Sequence, residues 1–293
     1  MSTFLGVAAS LGAALCWTAT AALLKLGTTN VQPLLANTIR VIAATLGSIL
    51  LVLMMGELDA LLAPNLAAFS IALSAGLLGI VIGDTLYIYA LKTAGVARVM
   101  PVANTYPLFS TLGAFLFLGE GLTPYIILGA VFIVAGLWLI SPGRDYRDAG
   151  EVGFTPRSFF LTLSCAPIWA AGILLLGYAL NYYSVIVLNA VRLPLIALIL
   201  LGVAYARGLN TIRLSRHTVM ILASAGLLGL TVGNILFLLG IDSIGVAKAV
   251  PLSSTSPIFS TIVGAVFLRE KVSLRVYLSA VLIVLGIIQV TIG

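Results

Sequence analysis

PVANTYPLFST at 101–111 and PLSSTSPIFST at 251–261 are two versions of one stretch, 150 positions apart. Each sets two prolines and a cluster of hydroxyl or amide side chains near the start of an apolar run. In lipid, a proline frees a backbone carbonyl that only protein neighbours or a water-lined cavity can satisfy. Polar side chains at that depth cost free energy unless they face the bundle interior. A proline-interrupted, polar-centred helix that occurs twice therefore points to a binding site. Both stretches are expected to wall one central cavity, with Pro101, Pro107, Pro251 and Pro257 as bending points.

The surroundings of these stretches are lipid-like throughout. The 293 residues are 61% hydrophobic and 8% charged, where a soluble domain has roughly 45–50% and 25%. Apolar runs long enough to cross a bilayer recur from end to end. Ten spans are expected, at about 4–24, 33–55, 67–91, 97–118, 123–141, 158–179, 184–206, 218–241, 247–268 and 273–291. The substantial polar linker is SPGRDYRDAGEVGFTPR at 141–157. It divides the chain into a first five-helix repeat (1–141), a connecting loop (142–157) and a second five-helix repeat (158–293). The first span begins close to Met1 without a basic leader or a small-residue cleavage site, so it reads as a retained helix.

The halves are copies. Residues 74–136 and 224–286 align without a gap at roughly 26 identities in 63 positions. SAGLLG recurs at 74–79 and 224–229, and GVA at 95–97 and 245–247. Upstream the offset is 152, so Trp17 pairs with Trp169, Asn37 with Asn189 and Arg40 with Arg192. Five is odd, so the second copy enters the membrane from the opposite side. The expected fold is an all-α polytopic membrane protein of ten transmembrane helices in two inverted-topology repeats, the plan of alternating-access carriers.

These residues resemble a family. The tryptophan of span 1, the Asn-x-x-Arg of span 2 (Asn37, Arg40) and the stretch GDTLYIYALKTAGVARVMPVANTYPLFSTLGAFLFLGE are similar to EamA-type members of the drug/metabolite transporter superfamily. The resemblance covers essentially the whole chain. It implies a cavity lined by spans 1, 3, 4, 6, 8 and 9, a plasma-membrane location and the export of amino acids, drugs or other small metabolites. It also implies termini on the inside. The Lys and Arg count argues the other way. The loops after spans 1, 3, 5, 7 and 9 hold nearly all the basic residues, against Lys248 opposite, which places the termini outside.

Several side chains are candidates for chemistry. Asp84 lies deep in span 3, where a carboxylate is costly and serves either as a proton-coupling group or as a helix-packing partner. Its mate is the uncharged Asn234. Arg40 and Arg192 each share a helix face with an asparagine one turn earlier, Asn37 and Asn189. They are expected to be structural, or to pair with an anion, either a carboxylate such as Glu120 or Glu270 or a substrate group. Trp17 and Trp169 are mid-span rather than interfacial, placed to stack on a substrate or to pack the core. Tyr87, Asn104, Thr105, Tyr106, Phe237, Ser253, Ser254 and Thr255 complete the expected substrate-binding set. GIVIG (79–83) and GLTVG (229–233) are GxxxG patterns that let helix backbones approach.

The same sequence argues against other classes. Two cysteines, Cys16 and Cys165, and one histidine, His217, offer no metal-ligand pattern. No phosphate-cradling loop or nucleophile elbow is present, so no cofactor, catalytic residue or enzymatic activity is expected. The net charge of +6 lies beside apolar runs and meets lipid rather than nucleic acid. Nothing in the sequence calls for a homodimer, although one remains open. The expected function is secondary transport of small metabolites, amino acids or related amphipathic compounds first. The alternatives are an antiporter of phosphorylated or nucleotide sugars, or a non-transporting membrane sensor or enzyme.

Overall fold

A computed structural model describes residues 3–28, 31–62, 65–94, 99, 102–103, 105–140, 156–209, 214–256, 258–259 and 274–293. Pro101, Asn104 and Pro257 lie outside the described residues, as do Glu270 and most of the expected connecting loop.

The helices follow the expected order. They are α1 (Thr3–Gly27), α2 (Pro33–Met55), α3 (from Leu66–Gly76 through Leu77–Asp84 to Thr85–Ala94), α4 (Tyr106–Leu118) and α5 (Pro124–Ile140). The second half supplies α6 (Pro156–Ala179), α7 (Val185–Ala206), α8 (from Arg216–Gly226 through Leu227–Gly233 to Asn234–Ile244), α9 (Val246–Ser253) and α10 (Leu274–Ile292). Helices α1–α3 and α6–α8 are each long and apolar enough to cross a membrane, and α4, α5 and α10 contribute shorter apolar stretches.

Helix α2 shows how lipid reverses the usual burial pattern. Leu46, Leu50 and Leu53 form an exposed apolar stripe, while Asn37, Thr38, Arg40, Thr45 and Ser48 are buried. Apolar side chains have nothing to gain by leaving lipid tails, whereas polar ones must find partners inside. The sequence folds with its hydrogen-bonding groups inward.

The packing is crossed between the halves. Helix α1 lies against α8 and α9, and its mate α6 lies against α3 and α4. Helix α2 pairs with its own mate α7, and α5 with its own mate α10. This exchange pattern is that of an inverted repeat about a pseudo-two-fold axis. The α5–α10 contact is built on small residues. A methyl group on Gly129 would meet the Gly286 carbonyl oxygen at 2.7 Å, and one on Gly286 would meet the Gly129 oxygen at 2.7 Å. Ser279 locks the same face by donating to the Gly136 carbonyl at 2.8 Å.

The prolines expected as bending points divide. Pro107 occupies the first turn of α4, where a missing N–H costs nothing. Pro251 lies within α9, which stops two residues later at Ser253. Thr105 and the Ser254–Thr255 pair form turns at equivalent points of the two repeats, so spans 4 and 9 are both interrupted there. Helix α8 turns into α9 at Gly245, whose φ of +79° suits glycine. Glu120 covers this corner, its carboxylate accepting from the backbone N–H groups of Val246 and Ala247 at 2.8 Å each. A carboxylate at a helix N-terminus satisfies orphan donors and the local dipole. The expected pairing of Arg40 or Arg192 with Glu120 is therefore corrected, because Glu120 is committed to the start of α9.

Gly226 tests the closeness of α8 to α2. A methyl group there would stand 2.1 Å from the Arg40 carbonyl oxygen, whereas one on Gly202 would meet nothing within 4 Å. Backbone cannot move aside as a side chain can. Gly226→Ala is expected to cost about 1–3 kcal/mol, seen as a lower thermal midpoint in detergent, while Gly202→Ala should be near neutral.

Candidate functional site

The site begins with a backbone irregularity. In both α3 and α8 the helix widens to the π form, over Leu77–Asp84 and Leu227–Gly233. A π turn takes carbonyls out of the regular ladder, and such turns recur at functional sites. Within a membrane those carbonyls need partners from elsewhere in the protein. Side chains of the repeat supply them. Asn37 donates to the Ile80 carbonyl at 2.8 Å, and Asn189 donates to the Leu230 carbonyl at 2.9 Å. Trp17 donates to the Gly229 carbonyl at 3.2 Å, and Trp169 to the Gly79 carbonyl at 3.3 Å. On these carbonyls the asparagines act within their own half and the tryptophans across halves, while Asn189 also donates across to Ser48 Oγ at 3.1 Å.

The GxxxG patterns acquire a specific meaning here. A methyl group on Gly83 would meet Trp169 Nε1 at 2.5 Å, and one on Gly233 would meet Trp17 Nε1 at 3.1 Å. These glycines make room for an indole from the opposite repeat as well as for a neighbouring backbone. The rings are held on their other sides. Trp17 packs on Phe237 with centroids 5.1 Å apart, and Trp169 packs edge-on against Tyr87 at 5.1 Å and Tyr106 at 5.8 Å.

Charge breaks the symmetry. Arg40 Nη1 lies 3.3 Å from Asp84 Oδ2, and the same nitrogen donates to Asn37 Oδ1 at 3.3 Å. Asp84 Oδ1 accepts from Trp169 Nε1 at 3.1 Å. Asp84 is thus held by a cation from α2 and an indole from α6. In the second half Arg192 donates to Asn189 Oδ1 at 3.2 Å, but the position matching Asp84 is Asn234. Arg192 is 2% exposed.

These groups surround a cavity of about 180 Å³. Trp17, Thr20, Ala21 and Leu24 of α1 face Trp169, Gly172, Ile173 and Leu176 of α6. Helix α3 contributes Asp84 and Tyr87, α4 contributes Tyr106, α8 contributes Asn234 and Phe237, and Ser256 follows α9. Arg40 and Arg192 reach in from α2 and α7. Of the expected substrate set, Trp17, Tyr87, Tyr106, Trp169 and Phe237 are brought together at the lining. Thr105, Ser253, Ser254 and Thr255 are buried away from it, each hydroxyl donating to a carbonyl three residues back. They satisfy the interrupted turns of spans 4 and 9. The lining residues Thr20, Asn234 and Ser256 were not in the expected substrate set; Asn234 carried a signal as the mismatch to Asp84, and Ser256 as the mate of Tyr106 within the second proline-flanked stretch.

Two crossed helical repeats enclosing a largely apolar, aromatic-walled cavity with a few charged groups are the plan of a membrane transport protein. The chain belongs to the EamA-like transporter family, whose model matches residues 4–141 and 157–292. A transporter of Archaeoglobus fulgidus, itself uncharacterised, is 29% identical over 95% of both chains. A protein of Listeria innocua whose name proposes sugar uptake is 28% identical over 70% of this chain and 72% of its own. A similarly named protein of Listeria monocytogenes is 28% identical over 70% and 72%. A crystal structure superposes with a TM-score of 0.78 over 98% of this chain and 96% of that one, at 22% identity, a likeness of fold. The protein is a multi-pass integral membrane protein.

The Arg40–Asp84 pair gives a direct test of the buried electrostatics. Asp84→Asn leaves Arg40 without its carboxylate, and breaking a buried pair on one side costs about 3–5 kcal/mol. Thermal unfolding in nanodiscs should show a large loss for Asp84→Asn. Adding Arg40→Gln should recover much of it, a coupling that a double-mutant cycle isolates.

Proposed function

We propose that this protein is a secondary carrier, driven by a gradient or by exchange, that moves small amphipathic metabolites by alternating access around the central cavity. Compounds of amino-acid size come first, with export as the direction. The observation that carries this reading is the crossed tryptophan pair. Each indole is anchored on a π-turn carbonyl of the opposite repeat, so any rocking of the halves rearranges the cavity walls directly. Ligand binding selects between states only through differential affinity, and groups from both halves converge on one small space.

Size weighs against nucleotide sugars. Sites for drug-sized ligands occupy about 300–1,000 Å³, well above the 180 Å³ here. A free sugar is the second reading, favoured by the names of the Listeria relatives and compatible with aromatic walls. Asp84 is the proposed proton-coupling group, because it is the carboxylate among the described lining residues and its protonation would release Arg40. No catalytic role is proposed.

Counterflow in proteoliposomes tests the carrier reading, with labelled amino acids, organic acids and sugars offered against preloaded unlabelled pools. Saturable exchange of at least one class is expected, and silence across all three with inserted, folded protein overturns it. For any exchanged substrate, the Asp84→Asn/Arg40→Gln variant should keep exchange while losing accumulation driven by an imposed pH gradient. Unchanged gradient-driven accumulation would remove Asp84 from coupling.

A further inference from the structure

The two halves serve as each other's control. Arg40 and Arg192 occupy matching positions, each donates to the asparagine one turn earlier, and both line the cavity. The first-half arginine has a carboxylate at 3.3 Å. The second-half arginine has none within 4.0 Å among the described residues, because its matching position holds Asn234. Its Nε, though buried, has no hydrogen-bond partner among the described residues, which is equally true of Arg40 Nε, so the difference between the two arginines is the carboxylate. Asp84 touches Arg40 and Trp169 and reaches Arg192 only as a more distant charge, without contact within 4.0 Å. The lining therefore carries two guanidinium groups against one carboxylate. A guanidinium does not deprotonate in proteins. A buried cation without a counter-ion is costly, and at membrane depth such groups mark substrate or ion pathways.

We infer that the cavity takes a singly charged anion, a carboxylate on a compact apolar or aromatic body, with Arg192 as its anchor. The inference rests on the carrier reading and narrows its substrate class. Arg192 presents a planar donor fork suited to a carboxylate. Asn234, which also lines the cavity, can donate to the same oxygens. The rest of the ligand meets Trp17, Trp169 and Phe237. An apolar cavity of about 150 Å³ holds a benzene ring, so 180 Å³ admits a ring-sized body with a small head group. A zwitterion would bring an ammonium group into a lining that already holds an excess of positive charge.

The test measures binding to purified protein in nanodiscs, through tryptophan fluorescence, with no gradient present. The probes are 3-phenylpropionate, its neutral amide and phenylalanine. The carboxylate should bind saturably, and the amide and the zwitterion about tenfold or more weakly, because the amide leaves the buried cation unanswered and the zwitterion adds an ammonium group beside it. Arg192→Gln should bring acid and amide to equal affinity, and Arg192→Lys should keep a preference for the acid. Persisting amide binding shows that Arg192→Gln is folded; should that variant fail to fold, the acid–amide difference in the unmodified protein decides alone. Equal binding of the three probes, binding of none, or an acid preference that survives Arg192→Gln overturns the inference. Charge-selective binding with silent counterflow would instead strike the carrier reading and leave the anion site standing.

Discussion

The hydrogen bonds that side chains of other helices make to the π-turn carbonyls of α3 and α8 are the constraint on which the rest of this structure depends. A membrane offers such groups no water, so each needs a protein donor. Asn37 and Asn189 answer Ile80 and Leu230 from α2 and α7. Trp169 and Trp17 answer Gly79 and Gly229 from the opposite repeat. These four side chains fix how α1, α2, α6 and α7 approach the two widened helices. Removing any one takes a side-chain donor from a carbonyl at membrane depth, although the Gly229 carbonyl keeps the backbone N–H of Asn234.

The same constraint produces the cavity. An indole can reach a carbonyl of the facing helix only where that helix presents no side chain in its path, and Gly83 and Gly233 provide the gap. With the rings held there, the space between α1, α3, α6 and α8 cannot close to van der Waals contact. Polar groups converge on it because the bundle interior is the place where they find partners. Structural support and a binding-competent hollow are thus one arrangement, which is why Arg40, Asp84 and Trp169 act as lining and as framework together.

Much of this was legible in the sequence. The offsets of 150 and 152 between the halves and the odd number of spans per repeat lead to an inverted two-repeat bundle, and the mid-span tryptophans to aromatic groups at its cavity or in its core. What was illegible has physical causes. A π turn inserts no recognisable residue, and SAGLLGIVIG reads equally well as a regular apolar helix with close packing. The hydroxyls of Ser253, Ser254 and Thr255 are chemically suited to a ligand. They are taken by carbonyls of their own interrupted helix, a competition that residue type alone does not decide. The partner of Arg40 was hidden because Asp84 and Glu120 are equally acidic. The backbone N–H groups at the start of α9, which claim Glu120, exist only once the chain turns at Gly245.

The divergence between the halves carries as much information as their likeness. In a carrier built from two identical inverted repeats, exchanging the conformations of the halves would interconvert inward- and outward-facing states of equal energy. The framework here is close to that limit, since the tryptophan–carbonyl, asparagine–carbonyl and arginine–asparagine contacts are duplicated. Asp84 against Asn234, and Tyr87 against Phe237, are departures placed at the lining itself. In a carrier of that plan, such differences would make the two states unequal in energy and in ligand affinity. Differential affinity is the quantity that lets a ligand shift populations. Symmetry in the scaffold with asymmetry at the surface that meets the ligand is how an inverted repeat keeps both states accessible and still treats them differently.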